Sequence, residues 1–317
     1  MAIPDQWHAT LRLPVVAAPM FLVSGPDLVV ELCRSGVVGT FPALNQRSSE
    51  GYEAWLLEIR ARLDRAADED GRAPAPFGVN LIVHRSNDRL EADLALTVKH
   101  AVPLVITSLG AVQSLVERVH AYGGLVFHDV VNMRHARSAA QAGVDGLIAV
   151  CAGAGGHAGT LNPFAFVGEI RSFFDKTIIL SGSISAGGHV AAARALGADL
   201  AYIGTRFLAT AESLAAPRYK EMVLASKAQD IIYTSGVSGV LANFLRPSLV
   251  AAGLDPEQLA FEGKIDVAGE AKVWRDLWSA GHGVGAIDDL PKAAELCARL
   301  IREYAAAARS LDFQHRV

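Results

Sequence analysis

A histidine follows a dense group of glycines near the middle of the chain. Residues 151–159 read Cys-Ala-Gly-Ala-Gly-Gly-His-Ala-Gly, which places four glycines and His157 within nine positions. Glycine allows a ligand to approach the backbone closely, and an imidazole can exchange a proton near neutral pH. We therefore predict that this segment contacts a flat ligand and that His157 faces it. The alternative is a flexible loop with a solvated histidine.

Two further segments combine glycine with small polar residues. Residues 181–188 read Ser-Gly-Ser-Ile-Ser-Ala-Gly-Gly and lead into a predicted helix, and residues 203–207 read Ile-Gly-Thr-Arg-Phe. Small residues with free backbone N–H groups at a helix N-terminus form an anion site. The pair of segments predicts a phosphate site. The alternative is that Gly182 and Gly204 only relieve crowding where strands end.

Polar side chains interrupt two of the apolar runs. Asn80 needs hydrogen-bond partners, which either a ligand or a neighbouring strand could supply. Asp129 is costly inside an apolar strand unless it is paired or lies near an open end, and the adjacent His128 is one candidate partner. Residues 17–20, Ala-Ala-Pro-Met, could line one face of an aromatic ligand, or Met20 could fill a gap in the core.

Composition excludes several other classes of protein. The chain has 317 residues, 51% of them hydrophobic, and a net charge of −4, which argues against nucleic acid as a partner. We find no signal peptide and no run of apolar residues long enough to predict a membrane span. The three scattered cysteines and the histidine spacing favour neither a disulfide framework nor a metal site, so we expect a cytoplasmic protein without a metal.

The elements that must position these residues follow a regular order. Short apolar runs alternate with longer helical patterns, as expected of parallel strands covered on both faces. Eight such alternations predict an α/β fold, a (β/α)8 TIM barrel, in which strand ends carry the chemistry. The alternative, an open doubly wound sheet, lacks its glycine fingerprint after the first strand. The predicted strands are Val15–Pro19, Val37–Phe41, Phe77–Val83, Leu104–Leu109, Leu125–Val131, Gly146–Val150, Thr177–Ser181 and Leu200–Ile203.

The alternation stops after the eighth predicted strand. Residues 209–285 are interpreted as helices and loops, and Pro291–Arg309 is interpreted as one amphipathic helix. We expect residues 1–208 and 286–317 to form the barrel. Residues 209–285 would then be an inserted helical lid or substrate subdomain that precedes the last helix.

The predicted site would hold a phosphate after the seventh and eighth strands, a flat group across the barrel mouth and a histidine facing that group. Flavin mononucleotide (FMN) fits this description. A glycine-flanked histidine argues for turnover, since a barrel that only binds flavin, for storage or regulation, does not need a titratable group there.

The order of these motifs resembles that of a known family. Ala18-Pro19-Met20, residues 78–81, residues 154–159, residues 181–184 and residues 203–207 stand at the same strand ends as in the nitronate monooxygenases, formerly called 2-nitropropane dioxygenases. The resemblance covers most of residues 10–245. Its specific parts are the Ala-Gly-Gly-His-x-Gly loop and the Gly-Thr-Arg-Phe segment.

The resemblance implies an FMN enzyme that oxidises alkyl nitronates, such as propionate 3-nitronate, with O2 to a carbonyl compound and nitrite. It makes His157 the catalytic residue. It places residues 18–20 and Asn80 at the isoalloxazine ring, and it makes residues 234–243 a lid over the flavin. The cofactor-binding residues expected in this way are Ala18, Pro19, Met20, Asn80, His128, Asp129, Ala154, Gly155, Gly156, Gly182, Ser183, Gly204 and Thr205.

One position departs from the pattern that the resemblance implies. Many members of the family carry a lysine after the histidine of the fifth strand, where this chain has Asp129. A negative charge there would disfavour an anionic reduced flavin. Either another cation compensates for this charge, or the enzyme belongs to a branch with different redox tuning. The alternative activity is that of an FMN-dependent NAD(P)H reductase of quinones or enoyl thioesters on the same barrel. The partners expected are a small-molecule substrate and O2, and a homodimer is compatible with the sequence.

Overall fold

The structure is a computed structural model that describes residues 2–110, 112–260 and 274–310. Strands occupy short apolar segments along most of the chain. Their bounds are β1 (Val15–Ala17), β2 (Gly39–Pro42), β3 (Phe77–Ile82), β4 (Leu104–Ser108), β5 (Leu125–Val130), β6 (Gly146–Val150), β7 (Gly156–His157), β8 (Thr177–Ser181), β9 (Leu200–Ile203), β10 (Ile231–Thr234) and β11 (Ala242–Leu245).

Helices follow most of these strands. Their bounds are α1 (Pro26–Arg34), α2 (Ser49–Asp70), α3 (Leu90–Lys99), α4 (Gln113–His120), α5 (Met133–Gln141), α6 (Pro163–Arg171), α7 (Gly187–Ala195), α8 (Thr205–Leu208), α9 (Pro217–Ala225), α10 (Arg246–Ala251) and α11 (Ala293–Ser310). Short 3-10 helices lie at Asp5–Trp7, Ala43–Asn45, Ala228–Asp230 and His282–Ala286.

Eight parallel strands form the barrel. Their order is β1-β9-β8-β6-β5-β4-β3-β2, and a parallel bridge between Val16 and Val38 joins the two ends of this order. The predicted (β/α)8 barrel is thus confirmed, and each of the eight predicted strands is present within a few residues of its expected bounds. Continuous apolar runs predicted these strands because a parallel strand is buried on both faces.

The N-terminal segment closes one end of the barrel. Trp7 is buried in the barrel interior, where its ring meets the edge of Phe127 with centroids 5.5 Å apart. The backbone N–H of Ala2 donates to Asp199 Oδ1 at 2.7 Å, at the start of β9. Side chains thus fill this end of the barrel, and the large cavity lies at the opposite end, where the parallel strands finish.

The last predicted helix is present as α11, which packs on α7 and α1. Gly187 at the start of α7 makes this contact close, since a Cβ there would collide with the backbone of Leu300 and Tyr304. The helix therefore completes the barrel wall, as expected from its amphipathic pattern.

Within residues 209–285, of which 261–273 lie outside the described residues, the structure differs from the expected helices and loops. This segment contains α9 and α10, but it also contains β10 and β11, which pair antiparallel. β11 pairs in turn with β7 in the glycine loop of the barrel. Strands of four residues leave too short a pattern to predict, and their pairing with a distant loop is not encoded locally. The segment is thus joined to the barrel by a three-stranded sheet.

Two expectations about the setting of the protein stay predictions. Cys33, Cys151 and Cys297 are buried thiols, and the cytoplasmic location expected from the sequence stays a prediction. The homodimer is likewise untested. Within residues 2–110, 112–260 and 274–310, none of the helices combines the length and apolar character that crossing a bilayer requires.

Candidate functional site

A large cavity opens where the parallel strands of the barrel end. Its volume is about 1420 Å³, which exceeds the roughly 300–1,000 Å³ of most ligand pockets. All residues proposed for the site from the sequence line this cavity. They are Ala18, Pro19, Met20, Asn80, His128, Asp129, Ala154, Gly155, Gly156, His157, Gly182, Ser183, Gly204 and Thr205. The structure thus brings them together, and their individual roles stay proposals.

The glycine loop after β6 is held tightly rather than left open. Gly153 has a φ of +83° and Gly156 a φ of +71°, conformations that favour glycine. A Cβ on Gly155 would lie 2.9 Å from the backbone nitrogen of Gly281. Part of this glycine-rich segment forms the short strand β7, because pairing with β11 supplies hydrogen bonds that the loop does not make within itself.

His157 lies in this short strand, opposite Ala242 of β11. Its ring meets Trp274 edge-on, with centroids 5.4 Å apart and an interplanar angle of 85°. Trp274 is stacked on Phe244 with a centroid distance of 5.0 Å. The backbone pairing and the aromatic contact together fix the direction in which the imidazole faces the cavity.

The loops after β8 and β9 form a small polar cradle beside the glycine loop. Gly182 and Ser183 have φ values of +128° and +58°, and strain at a non-glycine residue such as Ser183 is typical of functional sites. The hydroxyl of Ser185 is buried and has no hydrogen-bond partner among the described residues. The hydroxyl of Thr205 accepts from the backbone N–H of Gly281 at 3.0 Å.

The N-terminus of α7, which was expected to be part of the phosphate site, is occupied by an acidic side chain in the structure. The first backbone N–H of α7, from Gly187, donates to the carboxylate of Glu303 at 2.7 Å. Glu303 lies on α11, far along the chain, and its negative charge occupies the helix N-terminus that was expected to bind the anion. The cradle therefore consists of the loop residues before α7 and of the residues around Thr205.

Polar side chains from three adjacent strands cover the floor of the cavity. The amide nitrogen of Asn80 donates to Ser108 Oγ at 2.8 Å and to the carbonyl of Ile106 at 3.2 Å. Ser108 Oγ donates to Asp129 Oδ2 at 2.6 Å. Asn80 thus obtains partners for its nitrogen from the neighbouring strand, one of the two options that its sequence position left open.

His128 is not the partner of Asp129. Its Nδ1 lies 2.7 Å from the hydroxyl of Thr107, with which it is hydrogen-bonded. Successive side chains of a strand point to opposite faces, so neighbours in sequence on β5 do not meet each other. The two side chains are instead bound by two successive residues of β4.

Burial shifts the pKa of three groups on this floor. It lowers the pKa of His128 to about 4, which leaves the imidazole neutral at physiological pH. It raises the pKa of Asp129 to about 6, against the opposing effects of the Ser108 hydrogen bond and of the His157 charge. Burial, and to a smaller extent the Asp129 carboxylate, also raise the pKa of Tyr202 well above its usual value.

Several residues that line or support the cavity were not found from the sequence. Tyr202 on β9 is buried, and its hydroxyl has no partner in the described part of the chain. Asn243 on β11 donates to the carbonyl of Ala154 at 2.7 Å and holds the glycine loop. A polar residue inside an apolar run, as for Asn243, is the signal that could have found it. Ser108, Trp274, Ser279, Gly281 and Gly283 also line the cavity.

Arg206, which belongs to the Gly-Thr-Arg-Phe segment, stabilises the fold around the cavity and does not contact the cavity itself. Its guanidinium is buried, and it donates to the carboxylate of Asp289 at 2.9 Å. Asp289 also accepts from Arg299 of α11. The arginine therefore anchors the cradle residues that precede it to the start of the last helix.

A barrel with a large cavity at this end, lined by a histidine, a glycine loop and a few polar side chains, is the architecture of an enzyme for small molecules. The chain belongs to the nitronate monooxygenase family, whose family model matches residues 6–303. It is accordingly an oxidoreductase of a family that is flavin-dependent in general.

Among individual relatives, some carry the name of this family and one is named as a dehydrogenase. The chain is 27% identical to a nitronate monooxygenase of Paraburkholderia phytofirmans, over 92% of each protein. It is 28% identical to a (3aS,4S,5R,7aS)-5-hydroxy-7a-methyl-1-oxo-octahydro-1H-indene-4-carboxyl-CoA dehydrogenase of Rhodococcus jostii, over 75% of this chain and 64% of that protein. The solved nitroalkane oxidase of Streptomyces ansochromogenes is 25% identical, with a TM-score of 0.80 over 95% of this chain and 98% of that one.

Proposed function

We propose that this protein binds FMN and oxidises alkyl nitronates with O2, giving a carbonyl compound and nitrite. The observation that carries the proposal is the placement of His157. A glycine loop that β11 holds in place presents this histidine to a cavity with a small polar cradle and a polar floor. Family membership and the nitroalkane oxidase structure support the same reaction class.

The residues present fit FMN. Ser185 has a buried hydroxyl with no partner in the described chain, and Gly182 and Gly204 are partly exposed in the cavity wall, so these loops suit a phosphate group. The flat ring would lie along residues 18–20 and Asn80. When bound, FMN supplies the electron acceptor that oxidation of a nitronate needs.

His157 would serve the substrate. As a neutral imidazole it can take a proton from the carbon next to a nitro group, and as imidazolium it can hold the negative charge of a nitronate. The pairing of β7 with β11 keeps the ring in one orientation, which reduces the entropy lost on reaching the reactive geometry.

Residues 209–285 would act as the lid and substrate subdomain over this site. The turn between β10 and β11 supplies Gly239, Val240 and Leu241 to the cavity wall. The hydroxyl of Tyr233 on β10 donates to the carbonyl of Ala158 at 2.9 Å, next to His157. The lid is thus connected to the residue on which turnover would depend.

A second function has a specific observation in its favour. The relative from Rhodococcus jostii is named as a dehydrogenase of a bicyclic carboxyl-CoA, and the cavity is larger than a single ligand requires. An FMN-dependent NAD(P)H reductase of quinones or enoyl thioesters is therefore the second candidate. It would use the same cradle and floor, with a nicotinamide and a larger acceptor in the space under the lid.

Product analysis tests the first proposal. The purified protein, loaded with FMN, is mixed with propionate 3-nitronate in air, and nitrite and O2 consumption are measured against free FMN. Formation of nitrite with matching O2 consumption is expected. Failure to form nitrite from several alkyl nitronates by protein that retains FMN would contradict the nitronate assignment and leave the reductase as the candidate.

A further inference from the structure

The floor of the cavity contains a carboxyl group whose hydrogen bonds continue across two strands. Asp129 Oδ2 accepts from Ser108 Oγ at 2.6 Å, and Ser108 Oγ accepts from the amide nitrogen of Asn80 at 2.8 Å. The second hydrogen of this amide goes to the carbonyl of Ile106. Both donors of Asn80 are therefore used within the wall, and its carbonyl oxygen is the group that it offers to a ligand.

The surroundings of Asp129 give its charge little compensation. From β7, the charge of His157 acts favourably on the carboxylate, and from β9 it faces the buried phenol of Tyr202. On its own strand, His128 is turned to Thr107. Among the described residues Asp129 takes part in none of the ion pairs, and its Oδ1 is buried without a hydrogen-bond partner.

In this environment the carboxyl of Asp129 can be either ionised or protonated. Burial raises the pKa of Asp129 to about 6. A serine hydroxyl can both donate and accept. Ser108 therefore donates to the ionised carboxylate, and it can accept from the protonated carboxyl, in which case its own hydrogen turns toward the cavity.

We propose that Asp129 is a proton-exchanging positioning residue, which takes up a proton from solvent when a bound flavin becomes negatively charged, while Ser108 reverses its hydrogen bond. The proposal rests on the proposed function, because it requires FMN in this cavity. It accounts for an acidic residue where the resemblance to the family implies a lysine: the negative charge is removed at the stage at which it would oppose reduction.

The proton balance of the step is simple. If a chemical reductant such as dithionite supplied two electrons to bound FMN, Asp129 would take up one proton from water, in addition to any protons that the reduced cofactor itself binds. Each additional proton bound per two electrons makes the midpoint potential fall by about 30 mV more per pH unit. Proton uptake by Asp129 therefore changes the pH dependence of the midpoint potential, which can be measured without turnover.

The test compares the midpoint potential of bound FMN as a function of pH in the wild-type protein and in Asp129→Asn. Above about pH 6, the wild-type slope should be steeper than that of the variant by about 30 mV per pH unit. The variant, which lacks the negative charge, should also have the higher potential at alkaline pH. Equal slopes in the two FMN-loaded proteins would overturn the proposal.

Two further variants show whether the effect belongs to this carboxyl. Ser108→Ala keeps the carboxylate but removes the hydrogen bond that favours its ionised form, so the steep region should persist and move to higher pH. Asp88→Asn removes a carboxylate at the exposed rim of the same cavity and should leave the slope unchanged. An Asp88→Asn variant that flattens the slope as Asp129→Asn does would contradict a specific role for Asp129.

A measurement on cofactor-free protein separates this proposal from the question of FMN binding. The infrared difference spectrum between about pH 5 and about pH 7.5 should contain a band of a buried protonated carboxyl that Asp129→Asn removes, since such a group titrates in this range. A spectrum without that band would contradict proton exchange at Asp129. Failure of the protein to bind FMN would instead contradict the proposed function.

Discussion

His157 and Ala242 are directly opposite each other in an antiparallel pair, although 85 positions separate them in the chain. The candidate catalytic histidine and strand β11 of the proposed lid thus belong to one small sheet. A movement of the lid would therefore change the orientation of the imidazole, because the two share backbone hydrogen bonds. This pairing connects access to the cavity with its chemistry.

Replacement of His157 should separate binding from turnover. We expect His157→Ala to retain FMN, since the cradle residues are unchanged, and to lose about 10²- to 10⁴-fold in kcat/KM for a nitronate, the range for a positioned acid or base. Flavin absorbance and nitrite formation measure the two quantities. His135→Ala removes a second histidine that lines the cavity and should retain activity. Full activity of His157→Ala would refute its role.

The close packing of the loops predicts a large effect of one methyl group. In Gly281→Ala, the new Cβ would lie 2.5 Å from the carbonyl oxygen of Gly153 and 3.0 Å from the nitrogen of Gly155, so the glycine loop and Gly281, whose N–H donates to Thr205 of the cradle, must move apart. We expect FMN to bind at least about tenfold more weakly, a loss of about 1.4 kcal/mol. A fluorescence titration of the cofactor-free protein with FMN measures the dissociation constant.

A glycine without such neighbours provides the matched control. Gly168 lies within α6, and a Cβ there would meet nothing within 4 Å. Gly168→Ala should therefore leave FMN binding unchanged and stabilise the fold by roughly 0.5–1 kcal/mol, as expected for alanine in a helix. Equal FMN affinities for the Gly281 and Gly168 variants would show that the cradle does not bind the cofactor.

The opposite pKa shifts of His128 and Asp129 predict how stability depends on pH. The pKa of His128 is lowered from 6.5 to about 4, so the unfolded state binds more protons and stability falls as pH decreases through this range. The pKa of Asp129 is raised from 3.8 to about 6, so the native state binds more protons and stability falls as pH increases through this range. The two effects oppose each other between about pH 4 and pH 6.

The Asp129→Asn variant tests the contribution of Asp129 to the pH dependence of stability. The variant should be more stable than the wild type by about 2 kcal/mol above pH 6, allowing for the partial exposure of the residue, and the difference should disappear toward pH 4. Urea unfolding of the cofactor-free proteins at several pH values measures it. Asp88→Asn controls for the loss of one negative charge at the cavity rim. A wild type that is the more stable protein at pH 7.5 would contradict the assigned shift.

The apolar rim of the cavity predicts a preference for larger substrates. Leu109 and Leu241 line it and are 46% and 47% exposed. Each methylene that a substrate buries there is worth about 0.8 kcal/mol, so kcat/KM should rise about fourfold per carbon in a series of alkyl nitronates. Leu241→Ser should weaken this trend, while Leu57→Ser, at an exposed position of α2, should not. Equal kcat/KM values along the series would contradict this preference.

The barrel and the position of the site could be predicted from the sequence because their signals are local. Continuous apolar runs mark the eight parallel strands, and Asn80, Asp129 and the glycine segments stand where those strands end. Polar or flexible residues at such places conflict with core packing, so they indicate a function.

The features of the fold and of the site that could not be predicted depend on contacts between distant parts of the chain. β10 and β11 are four residues long, and they become a sheet only by pairing with β7. Likewise, Glu303 reaches the N-terminus of α7 from the last helix, over a separation of 116 residues. The pairing of Asp129 with Ser108 rather than with His128 depends on strand register. Single-sequence patterns carry no information on such pairings.

We propose that a nitronate, and not a nicotinamide, reduces the flavin in this cavity. Anaerobic mixing of the FMN-loaded protein with propionate 3-nitronate, and separately with NADH and NADPH, tests it by following the flavin absorbance. The proposed function predicts rapid bleaching by the nitronate and none by either nicotinamide on the same time scale. Rapid bleaching by NADH or NADPH, with an unreactive nitronate, would contradict the claim and assign the protein to the reductases.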